Sequence, residues 1–278
     1  MSELASAVPL PVGVPVLART WQRHGAVERL LRYAVWLVIM VAIVQSLRTI
    51  EVIPEFLYDA PQQMGDMLGR MWPVDWAYYG SDVQAALIET LHIATLGTLL
   101  SIVLAIPFAI LVASNLTQNK ALNLFARVVL VASRSVNSLV WALLFVAIFG
   151  PGAVAGTLAI AFRSIGFVGK MAGETIEQMP PGPIEALQAA GASKMAQIWY
   201  GYWPQMKPAF LSIGLLRWDI NVRESAVLGI VGAGGVGMVL DTALNLFQWP
   251  RVATVLAAIF AIVIVTEIVV TVIRKRVL

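Results

Sequence analysis

Six apolar stretches, at 31–50, 85–113, 127–149, 153–171, 209–231 and 252–273, dominate this chain. About 20 mostly apolar residues in a helix cross a bilayer core. Lipid offers a backbone no hydrogen-bond partner, so each stretch must close its own bonds as a helix. The pattern predicts an all-α membrane protein with about six transmembrane helices. The fourth stretch is the weakest, because Gly152, Gly156, Arg163, Gly166 and Gly169 interrupt it. With 59% hydrophobic and 13% charged residues among 278, the chain cannot hide its apolar surface as a soluble domain.

The chemistry open to such a chain is narrow. Cysteine is absent, and His24 and His92 cannot alone make a metal site. No two-carboxylate or Ser/His constellation is visible, so no catalytic residue and no bound metal are expected, and the chain reads as a non-enzyme. The net charge of +3 gives no reason to expect a nucleic-acid partner. Residues 1–18 lack Lys and Arg and carry Pro9, Pro11 and Pro15, which reads as a disordered tail rather than a secretory signal.

Lys and Arg set the predicted orientation. Arg19, Arg23, Arg29 and Arg32 precede the first span. Lys120 and Arg127 follow the second, Lys170, Lys194 and Lys207 lie in or beside the 171–208 loop, and Arg274, Lys275 and Arg276 close the chain. Residues 51–84 carry six carboxylates and only Arg70 as a base. Both termini and the 171–208 loop are therefore expected in the cytoplasm, and the acidic 51–84 and Gly-rich 229–250 segments outside. Trp72, Trp76, Tyr78 and Tyr79 suit an outer interfacial belt; Trp199, Tyr200, Tyr202 and Trp203 suit an inner belt or a contact surface. The expected organisation is a tail at 1–30, a first span with an outer amphipathic segment at 31–84, and a core at 85–278.

Within the loop, Pro183 opens a predicted helix over 184–190. Gly191 permits a left-handed turn. A second short helix is expected over 192–200, with Ser193 near its start and with Pro204 and Pro208 ending it. Small residues at Ala186, Ala189 and Ala190 allow close approach by another surface. An amphipathic helix lying on the membrane fits the composition equally well. The spacing Glu185-Ala186, then Gly191, then Pro204 thirteen residues on resembles the EAA loop of ABC-importer permeases. Two departures are Leu187 at the second alanine and Gly201-Tyr202-Trp203-Pro204 at the ending. The resemblance implies the type I importer permease fold and a coupling role, docking into a cytoplasmic ATPase, for Glu185, Ala186, Ala190, Gly191, Ala192 and Pro204.

Gly232, Gly234 and Gly237 formally match G-x-G-x-x-G, but apolar spans flank them and Asp241 comes too soon for a dinucleotide site. No phosphate-cradling G-x-x-x-x-G-K-[ST] occurs either. Such glycines in a membrane protein permit tight packing or an irregular turn lining a cavity. The run from Asn221-Val222-Arg223 through Gly232-Ala233-Gly234-Gly235-Val236-Gly237 resembles the fifth-span signature of phosphonate-type permeases. Gly232, Gly234, Gly235 and Gly237 are accordingly candidate gate or turn residues.

Charges inside spans mark protein interiors or water-filled paths. At 100° per residue Arg217, Asn221 and Glu224 share one face of the fifth span, and Asp219 and Arg223 form an i,i+4 pair on another. That pair can be a neutralising one with no transport role. Arg134, Asn137, Ser138 and Trp141 are expected on one face of the third span. Glu89 and His92 open the second span, and Glu267 in the sixth is expected to pair with Arg or Lys. Asn137, Ser138, Arg217, Asn221, Arg223 and Glu224 are the candidate path residues. Arginines outnumber carboxylates along this path, which suits a small oxyanion.

The resemblance implies a permease subunit of an ATP-driven importer for phosphonate, phosphate or a similar oxyanion, multi-pass in a bacterial cytoplasmic membrane. It implies a second copy of the chain, two ATPase subunits and an extracytoplasmic binding protein as partners. It implies no cofactor on this chain, with ATP and magnesium in the ATPase. A permease for an amino acid or betaine would keep the loop and the glycine run; a standalone channel would need no ATPase.

Overall fold

The computed structural model describes residues 25–50 and 54–277. The predicted tail at 1–18, the cations Arg19 and Arg23, and Glu51 lie outside the described residues. By internal contact the chain divides into Met1–Gln63 and Met64–Leu278.

The first unit holds α1 (Ala26–Thr49) and the start of α2 (Pro54–Arg70). Over 33–44 the α1 side chains are apolar on every side and exposed, as suits a helix solvated by lipid. In α2, Phe56, Leu57, Met64 and Leu68 alternate with Glu55, Asp59 and Asp66.

The second unit is a helical bundle, with no strand among the described residues. A wide turn at Tyr79–Val83 runs into α3 (Gln84–Val112). Next come α4 (Lys120–Ser135), α5 (Ser138–Phe149) and α6 (Ala153–Glu177). Then follow α7 (Gly182–Ala189), the single turn α8 (Lys194–Ala196), α9 (Trp203–Leu228), α10 (Val236–Asn245) and α11 (Trp249–Val277). Among the described residues of both units, α1 included, four helical segments are long and apolar enough to cross a membrane, and the count reaches six when two bent pairs are each taken as one span.

α3 and α6 form the centre. A Cβ on Gly156 would overlap the Ala233 carbonyl and approach Ile93, one on Gly97 would meet Ile160, and one on Gly173 would overlap Val112. These pairings advance together along both helices, so α3 and α6 run parallel. The stretch expected to be the weakest span is thus a long central one. Its glycines are where neighbours approach closest, so they favour packing rather than interrupting the helix.

The third predicted span is not one straight helix. α4 and α5 meet at 88°. Val136 is extended, and the Asn137 side chain accepts from Leu139 N at 3.1 Å, starting a new helix. Arg134 therefore does not share a helix face with Asn137, Ser138 and Trp141.

The predicted 171–208 loop is also largely helical. α6 continues to Glu177, α7 covers Gly182–Ala189, and helical backbone resumes again at Lys194. Pro204 and Pro208 do not end the second short helix. Pro204 opens α9, directly after a wide turn at Gln197–Tyr202, and Pro208 lies within α9. The wider i→i+5 turn removes the register in which Pro204 would need an N–H.

Candidate functional site

Two regions carry the predicted site residues, one at the start of α9 and one along its second half. The first is the polar hairpin. α7 packs inward through Ile184 and Leu187, which would lie 3.4 and 3.1 Å from a Cβ on Gly201. Its other face leaves Glu185, Ala186, Ala189 and Ala190 exposed. Gly191 stands just past the helix end at φ +75°. Gly191 N donates to Gln188 O at 2.9 Å and Ala192 N to Leu187 O at 3.0 Å, so the last carbonyls of α7 are closed by a Schellman turn. The Ser193 hydroxyl then accepts from Ala196 N at 3.3 Å and caps α8. The outcome is a rigid, shallow ridge of small residues around one carboxylate, with Pro204 exposed at the root of α9.

The ridge is tied to the bundle. Ile184 and Tyr202 share a core with Ala109, Ala113, Ala172 and Ile176, at the ends of α3 and α6. Asn123 donates to Leu111 O (3.1 Å) and Val112 O (2.6 Å), Asn115 to Ile176 O (2.9 Å), and Ser114 N to Glu177 (2.8 Å). A push on α7 therefore meets helix ends whose carbonyls are already fixed.

The second region lies in the middle of the bundle. Arg217 is 3% exposed and Asn221 fully buried. Arg217 Nε donates to Ser164 Oγ (2.8 Å), Ser164 to Asn221 Oδ1 (3.2 Å), and Asn221 Nδ2 to Thr98 Oγ1 (2.7 Å), which ends on Ala94 O (2.6 Å). Each donor feeds the next acceptor, so this polar chain is satisfied inside the protein. Glu224 pairs with Arg163 of α6 and, at 3.5 Å, with Arg217. Arg223 pairs with Asp219 one turn earlier.

Asn137, Ser138, Arg163, Arg223 and Glu224 line an open recess of about 370 Å³. The structure thus brings four of the six candidate path residues to one recess and puts the other two, Arg217 and Asn221, in the network behind it. Sequence reasoning missed the Arg163–Glu224 pair. The two residues are 61 positions apart, and only a charge in each of two spans hinted at it. Glu267 is exposed on α11 and makes no ion pair among the described residues, contrary to expectation.

The candidate gate or turn glycines close the top of this network. Gly232, Gly234 and Gly235 have φ of +83°, +84° and +74°, so the chain turns through conformations that other residues resist. Gly237 lies inside α10 and serves close packing; a Cβ there would overlap the Ala226 carbonyl. Gly232 O accepts from Gly152 N at 2.9 Å. Residues 233–237 are buried between α3, α6 and α9, and α10 continues from them at 41° to the preceding helix. Irregular backbone at such a place is tolerated because protein surrounds it.

Broken membrane-crossing helices around a cluster of paired charges, with a polar helical ridge at one end, define a multi-pass transport subunit. A family profile described as "Binding-protein-dependent transport system inner membrane component" matches residues 105–278, and the chain belongs to that family. It is 37% identical over 210 residues to the phosphite transport system permease protein PtxC of Stutzerimonas stutzeri, covering 76% of each chain. It is 35% identical over 237 residues to the phosphate-import permease protein PhnE of Mycolicibacterium smegmatis, covering 84% of this chain and 44% of that one. An inward-facing structure of the MetNI methionine ABC transporter matches with a TM-score of 0.60 at 21% identity, over 70% of this chain and 96% of that one. The fold is that of an ABC-importer permease.

Proposed function

We propose that this chain forms the translocation path of an ATP-driven importer for phosphonate, phosphate, phosphite or a similar small oxyanion. The observation that carries the cargo class is the cation surplus of the intramembrane cluster. Among the described residues, the carboxylates that pair with Arg163, Arg217 and Arg223 are Asp219 and Glu224. The relatives named for phosphite and phosphate transport support the same reading. Guanidinium groups partly neutralised by carboxylates attract an oxyanion without trapping it. In this reading Asn137, Ser138, Arg223 and Glu224 meet the cargo, Arg217 and Asn221 brace them, and Gly232, Gly234, Gly235 and Gly237 form the turn at which the path opens.

Two copies of the chain enclose the path. Two ATPase subunits, holding ATP and magnesium, grip the ridge made by Glu185, Ala186, Ala190, Gly191, Ala192 and Pro204. This chain holds no cofactor and breaks no bond in the cargo. A binding protein delivers the oxyanion from outside, and both termini and the ridge face the cytoplasm, as Lys and Arg indicate. The mechanism is alternating access: ATPase closure moves the ridge, and the ridge moves the ends of α3, α6 and α9.

The test is reconstitution with the ATPase and binding protein in proteoliposomes. ATP-dependent accumulation of phosphite, phosphate or a phosphonate is expected. Accumulation of methionine or betaine with no oxyanion uptake would overturn the cargo assignment.

A further inference from the structure

A second charged recess, of about 210 Å³, lies between α4 and α6. Arg127, Arg134, Lys170, Glu174 and Glu177 line it. Arg127 pairs with Glu177 at 3.8 Å and Lys170 with Glu174 at 3.3 Å. Arg134 makes no ion pair or side-chain hydrogen bond among the described residues, and its side chain is open to the recess. The surplus positive charge of the recess therefore sits on one guanidinium.

The height of that guanidinium matters. A Cβ on Gly166 would stand 3.0 Å from Arg134 N, and Gly166 is near the middle of α6. Ser133, next to Arg134, is bonded to the same turn: its hydroxyl bonds Phe162 O and accepts from Gly166 N at 3.2 Å. The Arg134 backbone is thus fixed beside the middle of α6, and its exposed side chain enters a recess whose other charged residues lie toward the α7 end. Lys170 lies one turn closer to the α7 end. Arg163, in the first recess, lies about one turn on the other side of Gly166. The 88° break after Ser135 is what sets the two recesses in series along α6.

We propose that the Arg134 recess is a second oxyanion station, taking a small tetrahedral oxyanion between the Arg223 recess and the α7 end. This rests on the oxyanion reading of the cargo. In the Arg223 recess each arginine already faces a carboxylate, so the anion is held loosely. In the Arg134 recess Glu177 is paired with Arg127 and Glu174 with Lys170, so the anion gains a charge-assisted contact to the one guanidinium that no carboxylate pairs with among the described residues.

The chain has no cysteine, so Arg134→Cys gives a single thiol on it. In proteoliposomes holding the complete transporter, Arg134→Cys is expected to lower phosphate or phosphite uptake about tenfold or more, the worth of a hydrogen bond to a charged group. An aminoethyl thiosulfonate, which restores a cation, should return much of that uptake, and a neutral ethyl reagent should not. Equal uptake by Arg134→Cys or equal rescue by both reagents would overturn the station. Vesicles of pure phosphatidylcholine separate cargo from lipid headgroup: if the unaltered transporter there drops to the Arg134→Cys level and phosphatidylglycerol restores it, the recess serves lipid and the proposal fails. An unaltered transporter that moves no phosphorus oxyanion would instead sink the cargo reading.

Discussion

The Thr90 hydroxyl of α3 caps α10 from a neighbouring helix: it accepts from Val236 N at 2.8 Å and donates to Ala86 O at 2.8 Å. α10 starts after Gly235, which has no side chain to do this, and a Cβ at 235 would lie 2.6 Å from that hydroxyl oxygen. Glycine at 235 and threonine at 90 are thus one arrangement, in which the backbone comes close enough for a distant residue to serve as the cap.

Removing that cap strands a buried N–H. Thr90→Val keeps the shape and loses the oxygen, which should cost about 1–3 kcal/mol, the penalty for an unsatisfied buried donor. Thr90→Ser should retain most of the stability. Thermal unfolding of the purified complex in detergent measures both. Equal melting of the Val and Ser variants would show that Val236 N has another partner.

Backbone conformation alone calls for glycine at 191, since its φ is +75° and a Cβ there would meet nothing within 4 Å. Gly191→Ala should strain the turn by about 1 kcal/mol and leave the bundle intact. Gly191→Pro also removes the N–H that reaches Gln188 O. It should leave ATP hydrolysis running while uptake falls, because the handle no longer transmits. Uptake per ATP equal to that of the unaltered complex would argue against coupling through this turn.

Glu224 has two arginine partners, and Arg217 is almost wholly buried. Glu224→Gln leaves both cations without a carboxylate and should destabilise the protein by about 3–5 kcal/mol, as for a broken buried pair. Arg163→Gln together with Glu224→Gln should recover part of that loss. A double variant no more stable than the sum of the singles would show that Arg163 and Glu224 do not couple.

How much of this could be read from the chain depended on the range of the interaction. Span positions followed from apolar length, and the Gly191 turn from a glycine between two helical runs, because both signals are local. The shared face of Arg217, Asn221 and Glu224 followed from helix periodicity. Asn137 misled in one respect: in an apolar run it read as lying on a straight helix with Arg134, whereas its side chain starts α5 and bends the span. Pro204 misled as well, because the wide turn before it absorbs the missing N–H. Ser164, Thr98 and Thr90 carried no local mark. Their partners are 53 to 146 residues away, and a lone hydroxyl in an apolar run usually bonds its own helix.

Arg223 allows transport to be separated from folding. Its side chain is 46% exposed to the recess, and Asp219, its partner, is 8% exposed. Asp219 Oδ1 has no hydrogen bond, so Arg223 is the main neutralising contact of a buried carboxylate. Arg223→Ala alone therefore combines loss of a cation facing the path with a stranded Asp219. Arg223→Ala with Asp219→Asn removes the stranded charge and should regain stability. If the guanidinium meets cargo, that double variant should fold well and still import oxyanion poorly. Melting temperature and proteoliposome uptake, measured on the same preparations, decide it: uptake recovering in step with stability would assign Arg223 to charge balance instead.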